Sequence, residues 1–268
     1  MSGISEKNSV ALRKLSSHEN GPFTLKEASD YLNMPERKVV VLLGHLTRKG
    51  WLSRIKRGIY LTVPIGVINP KEFKTSPLVT ANHVFSPCYI GGWSAAEHWH
   101  LTEQMFNSVV VFTSKKTRSS SIKIKGAEFV IRKADESEFR NAKTVWIENE
   151  KILITNPSRT VADILNDPTI GGGISNCTEI LNNYLDSEYK DENELLKSIN
   201  ELKNNTIFKR LGYLLEVSGR NMLNLIDVCL KHVSKGFTFL DPSIKNKGII
   251  NTKWNLRINA EIANDNPK

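Results

Sequence analysis

Over the first sixty positions, apolar residues recur three times at helical spacing and then switch to the alternation of strands. Residues 4–17 predict a first helix, with Val10, Leu12 and Leu15 turned toward a core, and a turn over 19–21 follows. Thr24 with Glu27 three residues on is a capping box, so LKEASDYL starts as a short helix in which Ala28 permits close approach. Asn33-Met34-Pro35 stops it, and Pro35 opens ERKVVVLLGHLTRKG, where its missing N–H costs nothing. Val39, Leu43 and Leu46 then form one buried stripe, and Gly50 ends the helix behind Arg48 and Lys49. WLSRIKRGIYLTV reads as two short strands around Lys56-Arg57-Gly58, a β-hairpin with a basic tip. Three helices followed by a hairpin is the order of a winged helix-turn-helix.

Pro64, Gly66 and Pro70 mark a linker. Beyond it the pattern predicts a helix near 76–85, a Gly91-Gly92 turn into WSAAEHWH, and strands at 107–113, 121–124, 127–132 and 144–147. Asn156-Pro157 caps SRTVADIL, and Gly171, Gly172 and Gly173 reverse the chain before amphipathic helices near 174–187, 191–203, 206–218 and 221–234. A late strand is expected at 252–259, with a polar tail after it. The expectation is an α/β (α+β) chain: a winged helix over 1–65, then a larger mixed α/β domain over 71–268 with a helical second half.

Composition changes this picture little: 40% apolar and 24% charged residues are enough for a buried core, and no run approaches the ~20 apolar residues of a membrane span. The amino terminus lacks an apolar signal core, and Cys88, Cys177 and Cys229 form no paired motif, so reduced thiols in the cytoplasm are expected. Charge adds more. Of the net +9, residues 1–62 hold +6, from six Lys and five Arg against five acids. A local basic surplus is what offsets a phosphate backbone.

With Val39, Leu43 and Leu46 facing inward, Arg37, Lys38, Val41, His45 and Arg48 project from the third helix, the element that enters a major groove. Arg37 and Lys38, at its start, are placed for base edges or nearby phosphates. Arg54, Lys56 and Arg57 on the hairpin are placed for phosphate or minor-groove contacts. The predicted partner is double-stranded DNA; a solvated basic face on a protein-interaction module is the plainer alternative.

The chain resembles the AbiEi-type antitoxins of bacterial abortive-infection toxin–antitoxin systems. The resemblance rests on RKGWLSRIKRGIYLTVP, CYIGGWSAAEHWHLTEQ, NPSRTVADIL, GGGISNCTEIL, KRLGYLLE and TKWNLRIN, spread in order from about residue 8 to 260. It implies a phage-defence protein whose winged helix represses its own operon at inverted repeats, one protomer per half-site. It also implies a second domain that counteracts a nucleotidyltransferase-like toxin, by contact or otherwise. His100 and Ala96 depart from the Gly and Leu common there.

The remaining chemistry is sparse. His98 and His100 lie two apart on a predicted helix and cannot form a two-ligand face; with His83, Glu97 and Cys88 nearby, no metal is expected. Arg159 and Asp163 have the spacing of an intrahelical ion pair, and the resemblance leaves room for a part in neutralisation. Lys209 and Arg210, with Lys190 and Lys203, are expected as a basic surface patch able to meet DNA, RNA or the toxin. Ile180, Leu181, Tyr184 and Leu185 read as core, as do Leu211, Leu214 and Leu215. Glu201-Leu202-Lys203 has nuclease-like spacing but falls in a helix, and Ser94 lacks the flanking glycine of a nucleophile elbow, so neither a catalytic site nor a cofactor is expected. Two other readings stay open: a regulator whose second domain senses a ligand or dimerises, and a DNA-processing enzyme.

Overall fold

The structure, a computed structural model, describes residues 5–18, 21–64, 67, 69, 73–245 and 247–262. Its amino-terminal part is the expected winged helix. Helix α1 (Glu6–His18), strand β1 (Phe23–Thr24), α2 (Leu25–Leu32), α3 (Glu36–Arg48), β2 (Leu52–Lys56) and β3 (Ile59–Thr62) follow in order. The Thr24 hydroxyl accepts from Glu27 N at 3.2 Å while the Glu27 carboxylate accepts from Thr24 N at 2.6 Å, so the capping box is complete. Asn33 ends α2 in the left-handed region, at φ 51°. Leu15, Phe23, Ala28, Val39, Leu43 and Leu46 close one core, each large side chain contributing roughly 1.5–3 kcal/mol. Pro35 is the cap of α3 rather than its first residue. Residues 19 and 20 of the expected turn lie outside the described residues, as do Gly66 and Pro70 of the linker and tail residues 263–268.

The chain divides into two compact units, Met1–Tyr89 with Asn107–Phe139 and Thr144–Leu153, and Ile90–Phe106 with Arg140–Lys143 and Ile154–Lys268. After the winged helix come α4 (Pro77–Phe85), β4 (Cys88–Ile90), α5 (Gly92–His98), β5 (Ser108–Thr113), β6 (Ser121–Ile124), β7 (Ala127–Lys133), β8 (Ala142–Ile147) and β9 (Glu150–Thr155). The strands form a sheet of order β6-β7-β5-β4-β9-β8. β5 and β7 run parallel with Val110 opposite Val130, and β6 runs antiparallel to β7 with Ile122 opposite Phe129. In the first unit α4 packs on β5, and the Phe85 and Phe129 rings meet at 5.5 Å. His83 Nε2 lies 2.5 Å from a Glu150 carboxylate oxygen. β4 and β9 were not foreseen, and the expected 144–147 strand begins at Ala142.

The second unit is built around α6 (Pro157–Asn166). Asn156 caps it, its side-chain oxygen accepting from Arg159 N at 2.7 Å. α5, α7 (Ile174–Asp186), α8 (Glu192–Glu201) and α9 (Thr206–Val217) pack on it, and every residue from Pro157 to Leu165 is buried. Gly172 and Gly173 take φ values of 83° and 92°, which makes the expected chain reversal. Ile180, Leu181, Tyr184, Leu185, Leu211, Leu214 and Leu215 are core. After α10 (Leu223–Lys231) comes a small sheet, β10 (Thr238–Phe239), β11 (Ile249–Asn251) and β12 (Leu256–Ile258), in the order β10-β12-β11. The late strand is therefore only Leu256–Ile258: Asn251 Oδ1 accepts from Trp254 N at 3.0 Å and folds the preceding residues into a turn. Trp254 is fully buried against α9, where a Cβ added to Gly212 would lie 2.0 Å from its ring. No helix among the described residues is long and apolar enough to cross a membrane.

Candidate nucleic-acid interface

One side of α3 is spent on the core: Val39, Leu43 and Leu46 are fully buried. The opposite side is open. Arg37, Lys38, Val41 and Arg48 are exposed there and His45 is half-buried. At 3.6 residues per turn, Arg37, Val41, Gly44 and Arg48 fall inside an arc of roughly 60°. Val41 is 70% exposed, an apolar side chain with no intramolecular packing role.

The hairpin is braced against the helices. β1 pairs with β3 through Phe23–Tyr60 and Thr24–Ile59, and Leu25 N donates to Gly58 O at 3.0 Å, so the tip is tied to the start of α2. A register shift between Arg54 and Lys56 makes Ile55 a bulge, which raises the local twist. Gly58, at φ 83°, closes the turn. Arg54, Lys56 and Arg57 are exposed on this ribbon. None of the six lysines and arginines on α3 and the hairpin (Arg37, Lys38, Arg48, Arg54, Lys56 and Arg57) forms an ion pair among the described residues. Their charge is left for an outside anion.

The other candidate residues sit in the second unit and none is a surface feature. Arg159 Nε donates to Asp163 Oδ1 at 2.7 Å, so the intrahelical pair expected from spacing is present, with both side chains almost entirely buried. Glu201 stands 3.8 Å from Arg159 Nη1 and accepts from Asn141 at 2.7 Å. Its position at the end of α8, not on a strand, removes the nuclease-like arrangement with Lys203.

The expected basic patch at Lys209 and Arg210 is corrected, because both are buried in α9. Lys209 Nζ donates to Gly236 O at 2.8 Å. Arg210 spreads its fork over the carbonyls of Leu165, Asn166, Phe239 and Leu240 at 2.8–3.1 Å. It satisfies the open C-terminal end of α6 and pins β10. Burial lowers the pKa of both cations. Nothing in KRLGYLLE marks these charges as interior except that apolar residues flank them on both sides.

Cys88, Cys177 and Cys229 are buried free thiols; burial raises all three pKa values, those of Cys88 and Cys229 to about 12. Among the described residues no three His, Cys, Asp or Glu side chains gather as a metal site.

Two helices, a third with an open basic face, and a braced basic hairpin define a winged-helix protein. Residues 10–63 match the family model described as "Transcriptional regulator, AbiEi antitoxin". That span covers the last part of α1 through the hairpin. No curated protein matches the sequence. The fold as a whole is similar to the crystal structure of the RV2827C protein from Mycobacterium tuberculosis, at a TM-score of 0.66 and 12% identity, covering 95% of this chain and 92% of that one. At that identity the likeness is one of fold.

Proposed function

We propose that this chain is an autoregulatory antitoxin that binds double-stranded operator DNA through α3 and the hairpin. The observation that carries the reading is the open face of α3, where unpaired Arg37, Lys38 and Arg48 surround Val41, on a segment matching a regulator-antitoxin family. In a duplex, Arg37 and Lys38 reach base edges, while Arg54, Lys56 and Arg57 grip phosphates and set the register. His45, half-buried at the side of the same helix, borders the contact. Two protomers on an inverted repeat would place one α3 in each half-site. The chain after the linker, residues 71–268, counteracts a nucleotidyltransferase-like toxin, and Arg159, Asp163, Lys209 and Arg210 serve that role by holding the interior of the second unit together. The proposed boundary between the two functions is the 65–71 linker, the protein works in the cytoplasm, and it performs no catalysis.

The test is electrophoretic and cellular. Full-length protein is titrated against the DNA upstream of its own gene and, in parallel, co-expressed with the neighbouring gene product. Sequence-selective retardation together with rescued growth supports the reading. Binding no tighter than to random duplex, or growth unaffected by the antitoxin gene, refutes the corresponding half. Cleavage of the DNA in Mg²⁺ would point to an enzyme instead.

A further inference from the structure

The small sheet of the second unit sends Leu256 into the core from one face and leaves apolar side chains exposed on the other. Thr238, Leu256 and Asn251 pair across it on one side, with Leu256 fully buried. On the other side Phe239 pairs with Arg257, and Arg257 pairs with Ile250. Phe237, two residues before Phe239 and next to the first residue of β10, is also exposed. Phe237, Phe239 and Ile250 are 45%, 42% and 50% exposed. Two phenyl rings and a guanidinium therefore lie on or beside an unpartnered sheet face.

The chain that builds that face is basic. Residues 231–259 hold six Lys or Arg side chains and one acid, Asp241. Asp241 is buried and already accepts from Ile174 N and from Ser243. Lys253 is paired with Glu216, but Lys231, Lys235, Lys245, Lys247 and Arg257 have no acidic partner among the described residues. The occupant must be anionic and must offer flat apolar groups. An acidic protein surface meets the first requirement, but carboxylates offer nothing to stack on phenyl rings. An unpaired nucleotide strand meets both: bases stack on aromatic side chains and on Arg, while the lysines track the phosphates. Two residues of chain separate Phe237 from Phe239, at most about 7 Å between their backbones, within reach of a single base.

We infer that the exposed face of β10-β12-β11 binds single-stranded nucleic acid, by stacking on Phe237 and Phe239 with Arg257 between strands. This surface belongs to a different unit from the winged helix and acts on unpaired rather than duplex nucleic acid.

The experiment uses full-length protein carrying Arg37→Ala, Lys38→Ala, Lys56→Ala and Arg57→Ala, so that duplex binding through the winged helix is removed. Fluorescence anisotropy follows a labelled oligouridylate of about 12 nucleotides, the same length of duplex, and polyglutamate as a purely anionic control. Binding of the single strand is expected, with little binding of the duplex or polyglutamate. Adding Phe237→Ala and Phe239→Ala should weaken it at least ~10-fold, with only a small fall in melting temperature because each ring is nearly half exposed. Arg257→Gln should weaken it several-fold. Three results overturn the inference: no single-strand binding at roughly 100 µM, unchanged affinity in the Phe variants, or polyglutamate binding as well as the oligonucleotide. The last would mark the face as a site for an acidic protein. Since the winged-helix surface is already disabled, none of these results bears on operator binding.

Discussion

Gly44 lies in the middle of α3, on the face that carries Arg37, Val41 and Arg48. A glycine inside a helix costs about 0.8–1 kcal/mol relative to alanine. Nothing in the protein demands it there: an added Cβ would meet nothing nearer than Arg48 Nη1, at 4.0 Å, which is ordinary contact distance. Gly44→Ala should therefore stabilise the winged helix by ~1 kcal/mol, raising the melting temperature of a module that size by about 4–8 °C. With α3 in the groove as proposed, the same methyl group would stand between Val41 and Arg48, on the side of the helix turned to the bases. It should hold α3 out of register and weaken operator binding by roughly 10-fold, the loss of about one base contact. Differential scanning calorimetry and anisotropy with the upstream DNA measure the two effects on one preparation. Opposite signs are the signature of a glycine kept for a partner. A variant that melts higher and binds equally well would refute the close approach, and one that melts lower would refute the steric reasoning.

Other outcomes follow from the same geometry. Arg37→Ala with Lys38→Ala should cost ~1–3 kcal/mol per lost base contact and reduce the preference for operator over random duplex, read by competition binding. Lys56→Ala with Arg57→Ala should weaken all duplexes alike and make the slope of log affinity against log salt shallower by about 2, while growth rescue against the toxin is retained. Asp163→Ala should destabilise the second unit by roughly 3–5 kcal/mol by leaving the Arg159 guanidinium buried without its carboxylate; denaturant melts of single and double replacements check the coupling. His100 sits at φ 56°, in the region that favours glycine, so His100→Gly should raise stability by ~0.5–1 kcal/mol in the same melts.

The winged helix was legible because its signals are local. Thr24 and Glu27 are three apart, and Val39, Leu43 and Leu46 repeat at helical spacing within a single element. The short strands were not. The β8–β9 turn is made by Glu148 and Asn149 at φ values of 50° and 67°, a two-residue reversal without the glycine that usually betrays one. β4, β10 and β11 have three residues or fewer, too short for alternation to register. The interior of the second unit misled for another reason. Arg159, Asp163, Lys209 and Arg210 look solvated on any polarity scale, but the first two satisfy each other inside, and the last two are held by carbonyls at 236–240 and 165–166 that are remote in sequence. The open sheet face was invisible in the same way, since its Phe, Arg and Ile come together only through cross-strand register.

The seating of Trp254 in the notch at Gly212 also sets an order of events on the ribosome. The winged helix has all its core residues by Tyr60 and can close while the rest of the chain is still being made. The interior of the second unit stays open until Trp254 has been translated, nearly two hundred codons later, or roughly 10–40 s at bacterial elongation speeds. On the proposed reading, a nascent chain would acquire its grip on the operator well before it could restrain a toxin.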